Sequence, residues 1–326
     1  MKPFEYRQVR DAGEAVAAVH ASPGASYLGA GTNLVDHMKL GLVSPEVLVD
    51  VTQLPYRYVE SLPDGGLRVG SAVRNSEMAA DPRIRERYPM LSQALLAGAS
   101  GQLRNLATTG GNLLQRTRCV FFRDVSTPCN KREPGTGCPA RGSDHARDFA
   151  VLGASDSCVA THPSDMAVAL VALDAVVRIQ GPQGARTVPV TELYRLPGTE
   201  PHRDTVLDRA DLITAVDLPK LPMARRSAYR KVRDRASFAF ALVSVAVALE
   251  VEGNTVREAR IAFGGLAHKP WRALRAEAAL RGKPASEKSF RDAAEAELAE
   301  AKPLPGNEFK VLMAKNTLVS VLRSLV

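Results

Sequence analysis

At 326 residues the chain is long enough for two or three domains with cores of their own, and its 45% hydrophobic content is that of an ordinary globular protein. Lys and Arg outnumber Asp and Glu by 43 to 35, but the charges form no stripe with interleaved aromatics, and only 5% of residues are aromatic. That pattern argues against a nucleic-acid surface and for an acidic protein partner or an anionic ligand.

In chain order, residues 1–55 read as a small α/β unit, with a helical pattern around Ala12–His20 and strands at Ser26–Leu28 and Val47–Val51. From Tyr56 a hairpin follows, Tyr58–Leu62 and Leu67–Val73, turning at Pro63-Asp64-Gly65-Gly66, with short helices through Ala99. Residues 115–160 break every period and read as a long loop. A helix from Ser164 comes next, then strands at Ala175–Gln180 and Leu212–Leu218, the first closed by Gly181-Pro182-Gln183-Gly184. Pro219, Pro222 and Arg225-Arg226 mark a boundary. Beyond it we expect strands at Ser237–Glu252 and Glu258–Phe263 and helices at Trp271–Leu280, Ser286–Glu300 and Glu308–Leu325. The expected domains are 1–222, with subdomains 1–55 and 56–222, and 223–326. The N-terminal Met-Lys-Pro-Phe-Glu-Tyr-Arg lacks the apolar core of a secretory signal, and the longest apolar run, Phe238–Leu249, is too short to span a bilayer as a helix.

All four cysteines, Cys119, Cys129, Cys138 and Cys158, fall inside the irregular loop. Their crowding points to one shared job, because the backbone entropy of so long a loop must be offset by something, and a shared metal centre is one way. The gaps of nine, eight and nineteen residues match no zinc knuckle. An iron–sulfur cluster accepts looser spacing. Disulfides, a structural zinc and four unrelated thiols remain open on the residues alone.

Two glycine turns could hold an anion. Gly29-Ala30-Gly31-Thr32-Asn33 follows a short strand and precedes a helical pattern, so its amides could converge on a diphosphate. It departs from the dinucleotide fingerprint at Leu34, where a glycine is needed, and it has no P-loop ending, so a plain strand-to-helix turn stays open. Ala107-Thr108-Thr109-Gly110-Gly111-Asn112 offers hydroxyls, an amide and a Gly pair that lets a ligand approach the main chain, or is simply a tight turn. Thr161-His162-Pro163-Ser164-Asp165 reads as a helix start with Ser164 as N-cap, and His162 as a loop residue.

Taken in order, Gly-Ala-Gly-Thr-Asn-Leu at 29–34, Ala-Thr-Thr-Gly-Gly-Asn at 107–112, Pro-Ser-Asp at 163–165 and Tyr-Arg-Lys-Val-Arg-Asp-Arg at 229–235 resemble the flavin subunit of xanthine dehydrogenase-family molybdenum enzymes. The resemblance covers the whole chain. It implies an α+β fold: a two-part FAD-binding domain of PCMH/vanillyl-alcohol-oxidase type, then a smaller C-terminal domain like that of carbon monoxide dehydrogenase flavoproteins, with a three-stranded sheet plus helices. Most of the family lack the cysteine loop. That loop, with Gly98-Ala-Ser-Gly-Gln-Leu-Arg104 and Asn112-Leu-Leu-Gln-Arg-Thr-Arg-Cys119, is similar to the flavin subunit of periplasmic aldehyde oxidoreductase, which carries FAD and a 4Fe-4S cluster. The flavin subunit of 4-hydroxybenzoyl-CoA reductase is the nearest rival.

The resemblance implies site residues as well. Ser26, Tyr27, Leu28, Gly29, Ala30, Gly31, Thr32, Asn33 and Leu34 would wrap the FAD diphosphate, and Thr108, Gly111 and Asn112 would line the flavin side. Asp165 would accept a hydroxyl of a sugar-like part of FAD, Leu212 and Ile213 would pack on the cofactor, and Lys231 would sit near the isoalloxazine ring, where a cation favours reduced flavin. A solvated surface charge is the alternative for Lys231. Cys119, Cys129, Cys138 and Cys158 would hold the cluster. No residue of this chain would be catalytic: substrate oxidation would occur in a molybdenum-cofactor subunit, and electrons would arrive from a 2Fe-2S subunit and leave to an external acceptor. FAD would be bound noncovalently, His37 being a weak candidate for attachment. The chain would reach the periplasm bound to a partner with a twin-arginine signal. A self-sufficient flavin oxidase and an assembly subunit with a zinc-stapled loop are the rival readings.

Overall fold

Three sheets organise the chain, which the computed structural model describes over residues 1–326. The first is parallel, with β1 (Glu5–Gln8), β2 (Ala25–Leu28) and β3 (Val47–Asp50) in the order β1-β3-β2. Parallel strands need a crossover, and the helix Ala12–Ala21 supplies one between β1 and β2. Asp11 caps that helix by accepting from the Glu14 amide at 2.8 Å, and Ala15, Val16 and Val19 bury its inner face. β1 lies outside the elements expected from sequence because all four of its residues are exposed and carry no alternation to read.

The second sheet is antiparallel, with β4 (Val59–Ser61), β5 (Leu67–Gly70), β6 (Val176–Gly181), β7 (Gly184–Pro189) and β8 (Leu212–Leu218) in the order β4-β5-β8-β6-β7. Both turns expected from sequence are present, and Asp64 accepts from the Gly66 amide at 2.8 Å in the first. β7 carries no strand signal in the sequence for the same reason as β1: it is an exposed edge strand with no apolar period.

The third sheet comprises β9 (Ser227–Val232), β10 (Val243–Glu252), β11 (Thr255–Gly264) and β12 (Trp271–Arg272), in the order β12-β11-β10-β9. It has three long strands, as expected, plus a two-residue fourth. Alternation along β10 sends Val243, Val245, Val247 and Leu249 towards the helices Leu274–Leu280, Glu287–Leu298 and Phe309–Arg323, while Ala246 and Ala248 join the core around the buried helix Asp165–Ala172. Two expected bounds move. β10 begins at Val243 rather than Ser237, because the chain turns at Phe238 with φ +51°. Trp271 and Arg272 pair with β11 instead of starting a helix, which begins at Leu274. No helix is long and apolar enough to cross a membrane.

The stretch 115–160 holds only the short helix Val120–Arg123 and the 3-10 turns Pro139–Gly142 and Ala146–Asp148. Side chains do the work that a ladder does elsewhere. Asn130 donates to the Ser157 carbonyl at 3.1 Å and accepts from Gly137 at 2.7 Å, Arg132 donates to the carbonyls of Phe121 and Phe122, and Thr136 accepts from the Cys129 amide at 3.0 Å. Lys131, 2% exposed, donates to the Pro201 carbonyl at 2.7 Å, lies 2.8 Å from His268, and pairs with Asp204. Burial alone would raise the Asp204 carboxyl, but the His268 hydrogen bond and the Lys131 and Arg116 charges hold it well below the carboxylate range.

Candidate functional site

The turn 29–33 joins β2 to the helix Leu34–Lys39, and the amides of Ala30, Gly31, Thr32 and Asn33 find no acceptor within the chain. Gly31 sits at φ +73°, and a Cβ there would stand 2.9 Å from Val35 Cγ2, so both conformation and space call for glycine. The second turn faces the first. Thr108 caps the helix Thr109–Leu113, its Oγ1 accepting from the Gly111 amide at 3.3 Å, and a Cβ on Gly29 would come within 3.3 Å of the same Oγ1. A row of free amides beside a close-packed glycine pair is a concave anion cradle.

Two open cavities of about 1290 and 2010 Å³ meet at this cradle. The smaller is lined by Ser26, Tyr27, Gly29, Ala30, Gly31, Thr32, Asn33, Leu34, Thr108, Gly111, Leu212 and Ile213. The larger takes in Thr32, Asn33 and Gly111 again, with Asn112, Asp165 and Lys231. Of the residues that the sequence assigns to the cofactor, Leu28 alone lines neither; its Cδ1 lies beneath Gly31. His37 is buried in the wall of the smaller cavity, 3.3 Å from Asn33 and edge-on to Phe122, and burial, followed by the Arg118 and Arg116 charges, pushes its imidazole down to about 4.

Asp165 and Lys231 are placed differently from a free acceptor and a free cation. Lys231 Nζ donates to Asp165 Oδ2 at 2.8 Å and to the Ala97 carbonyl at 3.2 Å, and the two side chains are only 3% and 8% exposed. Asp165 Oδ1 accepts from Tyr229 Oη at 2.5 Å. Burial, and then the Asp165 charge, holds the Tyr229 phenol well above its ordinary value, so it stays a donor. Lys231 is therefore a buried partner and not a solvated surface charge. Ser164 is the N-cap that its position suggests, accepting from Ala167 at 3.0 Å, and it also donates to Asn112 Oδ1 at 2.6 Å, which fixes that amide on the cavity wall.

Part of this wall carries no motif in the sequence. Arg118, Arg235, Phe238 and Phe240 line the larger cavity, and Arg118 lies over the Phe240 ring at 5.0 Å. Two exposed phenylalanines two residues apart in a basic stretch were the available signal. A further cavity, lined by Arg118, Cys119, Pro163, Asp165 and Phe240, continues from there towards the cysteines.

Cys119, Cys129, Cys138 and Cys158 are free thiols that line one small pocket, together with Phe121, Phe122, Pro128, Pro139 and Ala140. Burial pushes three thiols up, Cys119 to about 11, Cys158 to about 12, and Cys138 in the same direction. No three His, Cys, Asp or Glu side chains in the chain converge as a single metal ion requires.

Residues 2–221 match the FAD binding domain in molybdopterin dehydrogenase, and residues 227–325 match the CO dehydrogenase flavoprotein C-terminal domain. The chain is 49% identical over 324 residues to the aldehyde oxidoreductase FAD-binding subunit PaoB of Escherichia coli, covering 99% of this chain and 98% of that protein. It is 25% identical over 316 residues to the carbon monoxide dehydrogenase medium chain of Hydrogenophaga pseudoflava, covering 95% and 93%. The solved carbon monoxide dehydrogenase of that organism, in a form lacking the Mo-pyranopterin moiety, superposes with TM-score 0.77 at 26% identity over 100% of this chain and 98% of the other. With two glycine turns, joined cavities and both domains in place, the chain belongs to the FAD-binding subunits of the xanthine dehydrogenase family of molybdenum oxidoreductases.

Proposed function

We propose that this chain is the FAD- and 4Fe-4S-containing electron-transfer subunit of a molybdenum-dependent aldehyde oxidoreductase, assembled with a 2Fe-2S subunit and a molybdenum-cofactor subunit in a heterotrimer. The observation that carries the reading is the 49% identity, over nearly the whole of both chains, to an aldehyde oxidoreductase FAD-binding subunit. The joined cavities support the FAD half. The amides of residues 30–33 suit its diphosphate, Leu212 and Ile213 supply an apolar flank, and the Ser164–Asn112 bond presents a fixed amide. Asp165 has lone pairs to spare for a hydroxyl even with Tyr229 and Lys231 bound.

Four free thiols on one apolar pocket support the cluster half. Cys119, Cys129, Cys138 and Cys158 would be its ligands, and Arg132, Asn130 and Lys131 hold the segments that present them. Bound FAD supplies the exchange between one-electron and two-electron carriers, and the protein supplies orientation and charge. The substrate reaction is assigned to the molybdenum-cofactor subunit. The site of action is the periplasm, reached on a signal-bearing partner. The test is anaerobic mixing with an aldehyde. Flavin absorbance should bleach in the complete assembly and stay unchanged in the isolated chain, and aldehyde oxidation by the isolated chain would overturn the division of labour.

A further inference from the structure

Reduction of flavin by two electrons with uptake of one proton leaves the ring one net negative charge, so a fixed cation at the ring favours the reduced state. Lys231 is the residue that the sequence nominates, but its charge is matched at 2.8 Å by Asp165. Other cations stand on the same wall. Arg123 is matched by Asp36 at 2.7 Å. Arg104 is anchored on the Gly98 carbonyl at 2.7 Å, and Arg235 lies exposed, donating to the Phe238 carbonyl at 3.0 Å. Neither lines the second cavity that runs on to Cys119, as Arg118 does.

Arg118 forms no ion pair. Its guanidinium donates to the Arg116 carbonyl at 2.5 Å and rests over Phe240 at 5.0 Å, an arrangement that holds the planar group in place without neutralising it. It lines both the larger cavity and the one that runs on to Cys119. An unmatched charge held at a cavity wall acts on a neighbouring anion more strongly than one already paired with a carboxylate.

We propose that Arg118, shelved on Phe240, is the positioning cation that favours reduced over oxidised flavin in this chain. The inference rests on FAD occupying the joined cavities, and it transfers to Arg118 the role first assigned to Lys231. Electrons come from the iron–sulfur centres of the partner and the proton from solvent; Arg118 exchanges neither.

The test is an anaerobic redox titration of FAD bound to the full chain, against a reference dye, for the wild type, Arg118→Gln, Arg118→Lys and Phe240→Leu. Arg118→Gln should lower the reduced-to-oxidised ratio at fixed potential about tenfold, ~30 mV for a two-electron couple. Arg118→Lys should keep most of the wild-type value, and Phe240→Leu should shift in the same direction by less. FAD and iron content should stay constant. An unchanged potential in Arg118→Gln with FAD still bound would overturn the inference and leave the flavin site standing. Loss of FAD from Arg118→Gln but not Arg118→Lys would also overturn it, making Arg118 an anchor. A wild-type chain that binds no FAD would fail the functional reading before Arg118 is tested.

Discussion

Replacing Lys231 with Met would leave the Asp165 carboxylate buried with only the Tyr229 hydroxyl as partner. The pair is 2.8 Å apart with side chains 3% and 8% exposed, and Asp165 opens a helix, Asp165–Ala172, all of whose residues are buried. Removing one partner of such a pair costs about 3–5 kcal/mol, chiefly the penalty of the orphaned charge. Because Asp165 also borders the larger cavity, where water can reach it, the lower end of that range is expected. The Lys231→Met/Asp165→Asn double variant removes both charges and should recover most of the loss. Urea unfolding followed by circular dichroism, with FAD in excess in every sample, gives the cycle directly. A cost below about 1 kcal/mol for Lys231→Met, the range of an exposed ion pair, would refute the reasoning.

Gly31→Val combines the left-handed φ, about 1–2 kcal/mol, with a Cβ contact at 2.9 Å to Val35. It should abolish FAD retention through gel filtration while leaving iron content unchanged. Ser164→Ala removes an N-cap and the hold on Asn112, and should lower stability by about 1–2 kcal/mol in the same urea assay. His37 sits near 4 in the fold against about 6.5 unfolded, so the unfolded chain binds more protons between those values and stability should fall as pH drops from 6.5 to 4, by up to ~3 kcal/mol. His37→Gln should make that decline shallower, as read from urea midpoints at each pH.

What was legible in the sequence was local. The turn 29–33, the glycine pair at 110–111 and the Ser164 cap rest on residue types with marked local roles, glycine for close approach and serine for capping, and the structure forms each of them. The exposed edge strands β1 and β7 were not legible, because a strand without a buried face carries no period. Nor was the start of β10, since the apolar run from Phe238 hides the turn at φ +51°. Pairing across long separations was the other gap. Nothing near Lys231 in sequence shows that Asp165 neutralises it, and Arg118 and Phe240 meet only through the fold. The cysteines lie between these cases: their crowding was visible at once, and their meeting on one pocket depends on Asn130, Lys131 and Arg132 holding an otherwise irregular segment.

The central claim is that one chain holds both FAD and a four-cysteine iron–sulfur cluster. An absorption spectrum of the anaerobically purified chain, with flavin and metal quantified on the same sample, tests it most directly. Flavin bands over a broad iron–sulfur shoulder are expected, with about one FAD and about four irons per chain. FAD with no iron, or zinc in place of iron, would rule out the cluster, and absence of FAD would rule out the flavin site and the electron-transfer role with it.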